Sequence, residues 1–503
     1  MNSQTLTYDC YYNIFENFLY NDRSTLFACL LVTKVWCDMI FRLLYENPFE
    51  ILKNKNYLII STLKKFLNEG EITRLQKFSR KRITIRKPLY NYPEYIKVFD
   101  QKNIRKAIIG WLCIKKIELN DETKDNIVTL FHHMLLRQCK NIRQMNISST
   151  SLIRDIFNNR FIEKNIINLS NLKSIQFDFG GDLSNSTFLE FLRKFSNICL
   201  SLEYLQINID KYNSVPPPTE EICSIIKKQR NLKRFKISND ESRTHTFRTA
   251  NPQNNLLDDI FLSLKDSLVS LDFVYINFKG VSFRKFKDLS NLKYLKFHNC
   301  KKITLENCED LKSFKLRELS IQSPKLKSEV KILMIRYFGG SLHRLIIDKP
   351  TIPIIEEMLS CSHLETLDVK IGSNVTLEVL EQFKRLNIKN LNLSSSSDCK
   401  DCVFKNLAKN LPLSVKVVTI RYPRSHNTKQ FLDNVHCYLT TINLQNKIKF
   451  DPILDYIERS NNQLKRLGVA TLENNKSNIL KRIEDKGVKV VDFNSIYRES
   501  DYE

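Results

Sequence analysis

The feature that most constrains this chain is a short motif that recurs along most of its length. It has the form apolar-x-x-apolar-x-apolar, and we call it the strand motif. Its first positions are Ile142, Leu172, Leu202, Leu232, Leu268, Leu292, Leu316, Leu342, Leu364, Ile388, Val415, Leu439, Leu464 and Val488. In an extended chain the fourth and sixth residues point to the same side, so each copy predicts a β-strand with one apolar side. One such strand cannot bury that side alone, whereas stacked copies bury one another.

The intervals between copies, about 22–36 residues, are similar to those of leucine-rich repeats. Several intervening segments, such as 187–195 and 376–385, have apolar residues at helical spacing. A strand followed by a returning helix predicts an α/β fold: a curved solenoid of about 13–14 leucine-rich repeats with a parallel sheet on its concave side. The alternative is chance recurrence in a chain rich in Leu and Ile, and the number of copies argues against it.

Composition narrows the function classes. The 503 residues are 42% hydrophobic and 27% charged, which is typical of a soluble folded protein. The scattered cysteines predict reduced intracellular thiols, and the lone Cys399–Cys402 pair lacks the second pair that a zinc site would need. We find no Gly-rich phosphate loop, HExxH or GxSxG motif. We therefore predict no catalytic residues, no metal and no cofactor.

The sequence gives no indication of a membrane or secreted protein. The longest apolar run, 26–32, is far shorter than a membrane span, and the N-terminus has no basic segment followed by an apolar core. We expect the protein to reside in the cytoplasm, the nucleus or both. The net charge of +24 favours acidic partners, although lysine is common throughout the chain.

The first 48 residues differ from the repeats. An apolar residue recurs every fourth position at Val32, Trp36, Ile40 and Leu44, which predicts an amphipathic helix. So short a segment buries little core by itself. We therefore expect some of its apolar side chains to bind a partner, the alternative being a helical cap on the solenoid. The candidates are Leu6, Ile14, Phe15, Leu19, Leu30, Val32 and Trp36.

This segment resembles an F-box domain. Residues at positions of the family's pattern are Leu6, Asp9, Tyr11, Ile14, Phe15, Cys29, Leu31, Val32, Trp36, Leu44, Tyr45 and Pro48. Two residues depart from the pattern: Thr7 replaces the usual proline, and Tyr45 replaces the second tryptophan. One repeat also resembles the cysteine-containing repeat typical of F-box proteins, through Leu292, Leu295, Phe297, Cys300, Ile303 and Thr304.

The resemblance implies a substrate receptor of a Skp–cullin–F-box ubiquitin ligase, as in the large fungal families of F-box repeat proteins. Residues 1–48 would be the F-box that binds a Skp-type adaptor and, through it, a cullin. Residues 49–138 would be a helical linker region, 139–495 the repeats that capture a protein substrate, and 496–503 a short tail. A free-standing repeat scaffold and a basic binder of nucleic acid or phosphoproteins remain alternatives.

The outward face of the predicted sheet carries the candidate substrate surface. The third, fifth and seventh residues of the strand motif include basic and acidic side chains in similar numbers. Nucleic acid would require an uninterrupted basic track, so a protein partner fits this face better. Aromatic and cationic residues on nearby copies predict a site for an acidic or phosphorylated segment, the alternative being an ordinary solvated face. These residues are Tyr204, Arg234, Lys236, Tyr294, Lys296 and His298.

Overall fold

The computed structural model describes residues 7–21, 23–51, 55–79, 90–117, 119–148, 165–180, 186–209, 218–239, 257, 262–308, 315–372, 375–395, 401–422, 425–445, 450–470 and 478–497. The described residues form two compact units. The first holds those up to Lys233 and those from Asn239 to Leu264. The second holds Arg234–Ser238 and those from Lys265 onward. The domain boundaries predicted at 48 and 138 stay predictions.

Four short helices open the first unit: α1 (Tyr8–Asn21), α2 (Arg23–Cys29), α3 (Lys34–Glu46) and α4 (Pro48–Ile51). Thr33 begins α3 as its N-cap, because its side chain accepts a hydrogen bond from the Trp36 N–H at 3.1 Å. The apolar sides of the first three helices meet in a small core of Phe15, Leu19, Leu26, Met39, Ile40 and Leu43.

The described part of the region predicted as a helical linker contains four more α-helices and one strand. They are α5 (Tyr57–Leu63), α6 (Glu69–Ser79), β1 (Val98–Asp100), α7 (Gln101–Ile114) and α8 (Asp121–Gln138). Asp100 and Asn120 cap α7 and α8, since each side-chain oxygen accepts a backbone N–H three residues on. The linker is therefore mainly helical, but β1 was not predicted.

Strand β1 does not match the strand motif because the residue at its sixth position is polar. Its Phe99 lies opposite Met145 of the next strand, as a fourth-position residue should. The sixth position is Gln101, which is buried, and its Oε1 accepts the Ser148 N–H at 2.8 Å. This hydrogen bond offsets part of the cost of burying the polar side chain, by satisfying its amide oxygen.

The first unit continues with repeats of the predicted kind. Its strands are β2 (Gln144–Ser148), β3 (Ser174–Phe179) and β4 (Tyr204–Ile209), and its later helices are α9 (Ser186–Ile198) and α10 (Thr219–Lys227). In β3 and β4 buried and half-buried residues alternate strictly. This period of two places the apolar residues of each strand on the helix side.

The second unit holds the remaining eleven strands of the described chain. They are β5 (Arg234–Asn239), β6 (Ser270–Val274), β7 (Tyr294–His298), β8 (Glu318–Gln322), β9 (Arg344–Asp348), β10 (Thr366–Ile371), β11 (Asn390–Ser395), β12 (Val417–Arg421), β13 (Thr441–Leu444), β14 (Arg466–Val469) and β15 (Lys489–Asp492). The helices are α11 (Leu305–Cys308), α12 (Ser328–Phe338), α13 (Ile352–Met358), α14 (Leu377–Gln382), α15 (Asp401–Lys409), α16 (Ser425–Asn434), α17 (Asp451–Arg459) and α18 (Asn478–Asp485).

Within each unit the strands are parallel and follow chain order, which confirms the predicted α/β repeat fold of leucine-rich-repeat type. Fourth-position residues face one another across strands: Leu295 lies opposite both Leu271 and Leu319. All fourteen copies of the motif form strands, β2 to β15. In the last copy, which begins at Val488, the strand pairing is shifted by one residue. Leu467 of β14 lies opposite Val490, whereas the motif predicts the fourth-position residue Val491 there. Strand β15 pairs with one neighbour, β14, in the described chain. The register of β15 is therefore less constrained than that of a strand with two neighbours.

Cys300 shows what the cysteine-containing repeat requires physically. Its side chain is buried, and its thiol donates to the Phe273 carbonyl oxygen at 3.3 Å. Its backbone N–H donates to the Ser323 hydroxyl oxygen at 3.0 Å. Burial raises the pKa of the Cys300 thiol to about 12, so the group stays protonated and bridges repeats.

No described helix is both long and apolar enough to cross a membrane. Within the same ranges, no cluster of three or more His, Cys, Asp or Glu side chains could hold a metal ion. Cys399 of the Cys399–Cys402 pair lies outside the described residues.

Buried His132 makes the first unit sensitive to acid. It lies on α8 with its ring 5.5 Å from that of Phe99, and burial lowers its pKa to about 3. The pKa of a histidine in the unfolded chain is about 6.5, so below that pH the unfolded state binds a proton that the folded state does not. The first unit therefore keeps its full stability above about pH 6.5 and loses stability as the pH falls toward the pKa of folded His132. At about pH 5 the loss from this group is expected to be about 2 kcal/mol.

The replacement His132→Phe should remove this loss. Both tryptophans lie in the first unit, so their fluorescence in urea titrations at about pH 7.5 and about pH 5 reports its stability. The control is His343→Phe, at an exposed histidine of the second unit. If the His132→Phe variant loses as much stability on acidification as the wild type, burial of a neutral histidine is not the cause.

Candidate functional site

An unusual number of exposed apolar side chains lie in the first 36 residues. They are Tyr8, Ile14, Phe27, Leu31, Val32 and Val35, with exposed fractions from 40% to 89%. Four of them lie within nine residues at the end of α2, in the following turn and at the start of α3. We call Phe27, Leu31, Val32 and Val35 the apolar turn. Contiguous exposed apolar groups on a folded protein commonly mark a partner surface.

The backbone of the apolar turn is fixed although its side chains are exposed. The Leu31 N–H donates to the Ala28 carbonyl oxygen at 3.1 Å, and the Val32 N–H donates to that of Cys29 at 3.2 Å. The Thr33 cap then starts α3 directly after the turn. Because these hydrogen bonds already order the backbone, binding a partner through this turn requires less further ordering of the chain.

Polar contacts attach these helices to the start of the repeats. The Tyr12 hydroxyl donates to Glu46 Oε1 at 3.0 Å, linking α1 to the end of α3. Burial and the Glu46 carboxylate raise the pKa of Tyr12, so its hydroxyl stays a donor. Glu46 also forms an ion pair with Lys97, whose backbone N–H donates to the Glu46 carbonyl oxygen at 3.0 Å. Since Lys97 directly precedes β1, these contacts connect the helices that bear the apolar turn to the first strand of the sheet.

The predicted adaptor-binding residues separate into surface and core. Ile14 and Val32 are exposed, as the prediction requires. Phe15 and Leu19 are a correction: they are 1% and 7% exposed and form the small core, so they support the surface instead of lining it.

Two further predicted adaptor-binding residues, Leu30 and Trp36, expose less of their side chains than Ile14 and Val32 do. Leu30 and Trp36 are half-buried and pack against the core. The Trp36 ring lies edge-on to that of Phe15 at 5.2 Å. Leu6 lies outside the described residues.

Sequence reasoning placed Leu31 at a position of the F-box pattern but left this residue, which is 89% exposed, out of the adaptor-binding candidates. It also omitted Phe27 and Val35 from the candidates. A signal was present in the sequence. Leu30, Leu31 and Val32 are consecutive, and three consecutive residues of a helix or turn cannot all face one core.

Charged side chains occupy the outward face of the second unit. We call six of them, together with the neutral amide Asn392, the ionic row. One member lies on each strand from β5 to β11: Lys236, Asp272, Lys296, Glu318, Arg344, Asp368 and Asn392. Glu318 and Arg344 are third-position residues and lie opposite each other, whereas the other five are fifth-position residues. Because neighbouring strands lie only about 4.8 Å apart, charges from different repeats become neighbours.

The lysines of the ionic row are paired with carboxylates. Lys236 Nζ lies 3.7 Å from Asp272 Oδ2. Lys296 Nζ lies 3.6 Å from Glu318 Oε1. Burial raises the pKa of Asp272, and the nearby ammonium groups of Lys236 and Lys296 oppose that shift. These pairs reduce the positive field that a phosphorylated segment would meet.

The centre of the ionic row is buried. Arg344 lies 2.8 Å from Asp368 and 3.7 Å from Glu318, and all three are no more than 3% exposed. Asn392 Nδ2 donates to the second oxygen of Asp368 at 2.7 Å. Burial alone would lower the pKa of Arg344, but the carboxylates of Asp368 and Glu318 raise it above its ordinary value, so the guanidinium stays charged.

The predicted substrate-binding residues are dispersed by this arrangement. Tyr204 belongs to the first unit, where its hydroxyl donates to Gln206 Oε1 at 2.5 Å. Arg234 is half-buried on β5. On β7, Tyr294 is only 5% exposed and offers little contact area, whereas His298 is exposed and lies 3.3 Å from Gln322. The substrate surface stays a prediction.

The replacement Arg344→Met is expected to destabilise the second unit by about 3 kcal/mol, because it leaves two buried carboxylates without their common cation. The measurement is urea unfolding followed by circular dichroism. The matched control is Lys370→Met at an exposed cation of the neighbouring strand, which should change stability by less than about 0.5 kcal/mol. Equal effects of the two substitutions would contradict the central role of Arg344.

Comparisons with known proteins give a limited result. No family model matches the chain, and no curated protein matches it. Among solved structures, the crystal structure of the Rad7 and Elc1 complex in yeast is similar, with 14% sequence identity and a TM-score of 0.36. The match covers 76% of this chain and 98% of that chain. At this identity and TM-score the likeness carries no argument about function.

Proposed function

We propose that this protein is the substrate-recognition subunit of a Skp–cullin–F-box ubiquitin ligase. Its N-terminal helices would bind a Skp-type adaptor and, through it, a cullin. The repeats would bind a protein substrate. The chain would position its substrate and catalyse nothing itself, and it would work in the cytoplasm, the nucleus or both.

The observation that carries this proposal is the apolar turn within the segment that resembles an F-box. Phe27, Leu31, Val32 and Val35 are all more than 40% exposed. A partner that covered these side chains completely would gain about 1.5–3 kcal/mol of binding free energy from each one. A helical adaptor surface with apolar pockets is the partner that the F-box resemblance supplies.

The outward face of the repeats supports a protein partner over nucleic acid. Asp272, Glu318 and Asp368 interrupt the cations of the ionic row. A phosphate backbone requires a continuous basic track, whereas the cations of the ionic row are paired with carboxylates and do not form one.

Co-elution with a Skp-type adaptor tests the proposal. The full chain and the adaptor are co-expressed and separated by size-exclusion chromatography, with an established F-box protein as the positive control. We expect a stoichiometric complex that recruits the N-terminal domain of a cullin. If the control binds and this chain does not, the free-standing repeat scaffold becomes the better account.

A further inference from the structure

The last described segment of the chain lies on the outward face of its own second unit. This segment, Phe493–Tyr497, begins with one short turn of 3-10 helix after β15. We call it the C-terminal segment. It contacts residues at the third, fifth and seventh positions of the strand motif, which point away from the helices. Its contact with Asp368 joins residues 129 positions apart in the sequence.

Tyr497 inserts among three charged side chains, which we call the tyrosine socket: Arg344, Asp368 and Arg421. The tyrosine hydroxyl donates to Asp368 Oδ2 at 3.4 Å. The guanidinium of Arg421 lies 4.7 Å from the ring centroid, and that of Arg344 lies 6.0 Å from it. Cations at these distances are attracted by the aromatic ring, and the carboxylate recognises the hydroxyl.

The residues before Tyr497 are also held by the strand face. Asn443 Nδ2 donates to the Phe493 carbonyl oxygen at 3.1 Å, and the Asn443 side chain is fully buried. Gly468 makes room for the segment: a Cβ there would lie 1.9 Å from Asn443 Oδ1 and 2.9 Å from Ile496 Cδ1. Any larger residue at position 468 would clash with both.

The contact has the character of a bound peptide. The C-terminal segment adds no strand to the sheet; side chains and one carbonyl oxygen hold it. Its recognition elements are an aromatic ring with a hydroxyl and a preceding apolar residue. A segment of another protein with an apolar residue followed by tyrosine presents the same groups.

We propose that the tyrosine socket, with Asn443 and Gly468, is a peptide-binding site that the C-terminal segment occupies until a partner displaces it. The partner is a protein segment that carries an accessible apolar-tyrosine pair. That this partner is the ligase substrate rests on the proposed function; the site itself does not depend on adaptor binding.

Fluorescence anisotropy with a synthetic peptide tests the site. The probe is a labelled peptide of residues 491–503, added to the full chain and to a chain that ends at Asp492. In the full chain the attached segment competes at high effective concentration, so the shortened chain should bind the probe on the order of tenfold more tightly or better. A matched probe with Tyr497→Ala should not bind either chain.

Two further variants keep the test decisive. If the shortened chain does not fold, full-length Tyr497→Ala replaces it and should also bind the probe more tightly than the wild type. Adding Arg421→Met to the chain used should weaken binding, because it removes the closer guanidinium. The proposal is overturned if a folded chain without the tyrosine fails to bind the probe, or binds it and the alanine probe equally. Adaptor co-elution tests the proposed function, and the peptide experiment tests the tyrosine socket. A negative result in either experiment therefore leaves the other proposal standing.

Discussion

Replacing Leu295 by aspartate is expected to lower the free energy of unfolding of the second unit by about 5 kcal/mol or more. Leu295 is fully buried on β7 and lies opposite Leu271 and Leu319 on its neighbours. The substitution removes apolar contacts in three repeats and places a carboxyl group where the core offers it no partner. Urea unfolding followed by circular dichroism measures the change, and limited proteolysis locates it in the second unit.

The matched control for this prediction is Leu305→Asp. Leu305 is a leucine of the same repeat but is 49% exposed at the first position of α11. An acidic residue there is compatible with the start of a helix, so stability should change by less than about 0.5 kcal/mol. An unchanged unfolding midpoint for Leu295→Asp would mean that the register assigned to this strand is wrong.

The second large effect is expected at the apolar turn. The double replacement Leu31→Asp with Val35→Asp should weaken binding of a Skp-type adaptor by about a thousandfold or more, since it places two charges in the centre of an apolar interface. Folding should be unchanged because both side chains are exposed in the free chain. Isothermal titration calorimetry measures the affinity, and the melting temperature of each variant checks the fold.

A matched pair of substitutions controls for added charge. Leu377 and Leu413 are exposed leucines of the second unit, so Leu377→Asp with Leu413→Asp should bind the adaptor like the wild type. The pair Ile14→Asp with Phe15→Asp is less informative, because Phe15 is in the core and its substitution disrupts the helices. Wild-type affinity in the Leu31 and Val35 variant would exclude the apolar turn as the adaptor surface.

The repeat fold was predictable because each copy of the strand motif carries its own signal. Apolar residues at the fourth and sixth positions recur locally, and stacking makes each copy reinforce the next. Strand β1 was missed where that local signal fails, at Gln101. The Ser148 N–H, 47 residues later, donates to the Oε1 of its buried amide, a contact that the local sequence does not show.

The outward face was less predictable because its contacts join different repeats. The sequence shows Arg344 and Asp368 as separate charges, and only the pairing of β9 with β10 brings them to 2.8 Å, as diagonal neighbours on adjacent strands. The position of Tyr497 has no local signal at all, since its socket is formed by β9, β10 and β12. For the N-terminal helices the apolar pattern identified the segment but did not separate core residues such as Phe15 from exposed ones such as Leu31, because both lie in apolar runs.

The most direct test of the proposed receptor function is hydrogen–deuterium exchange of the full chain with and without a Skp-type adaptor. We predict that the adaptor slows exchange in residues 24–36, which contain the apolar turn, and leaves the strands of the second unit unchanged. An adaptor that does not bind, or one that protects the repeats while the apolar turn exchanges as in the free chain, would contradict this account.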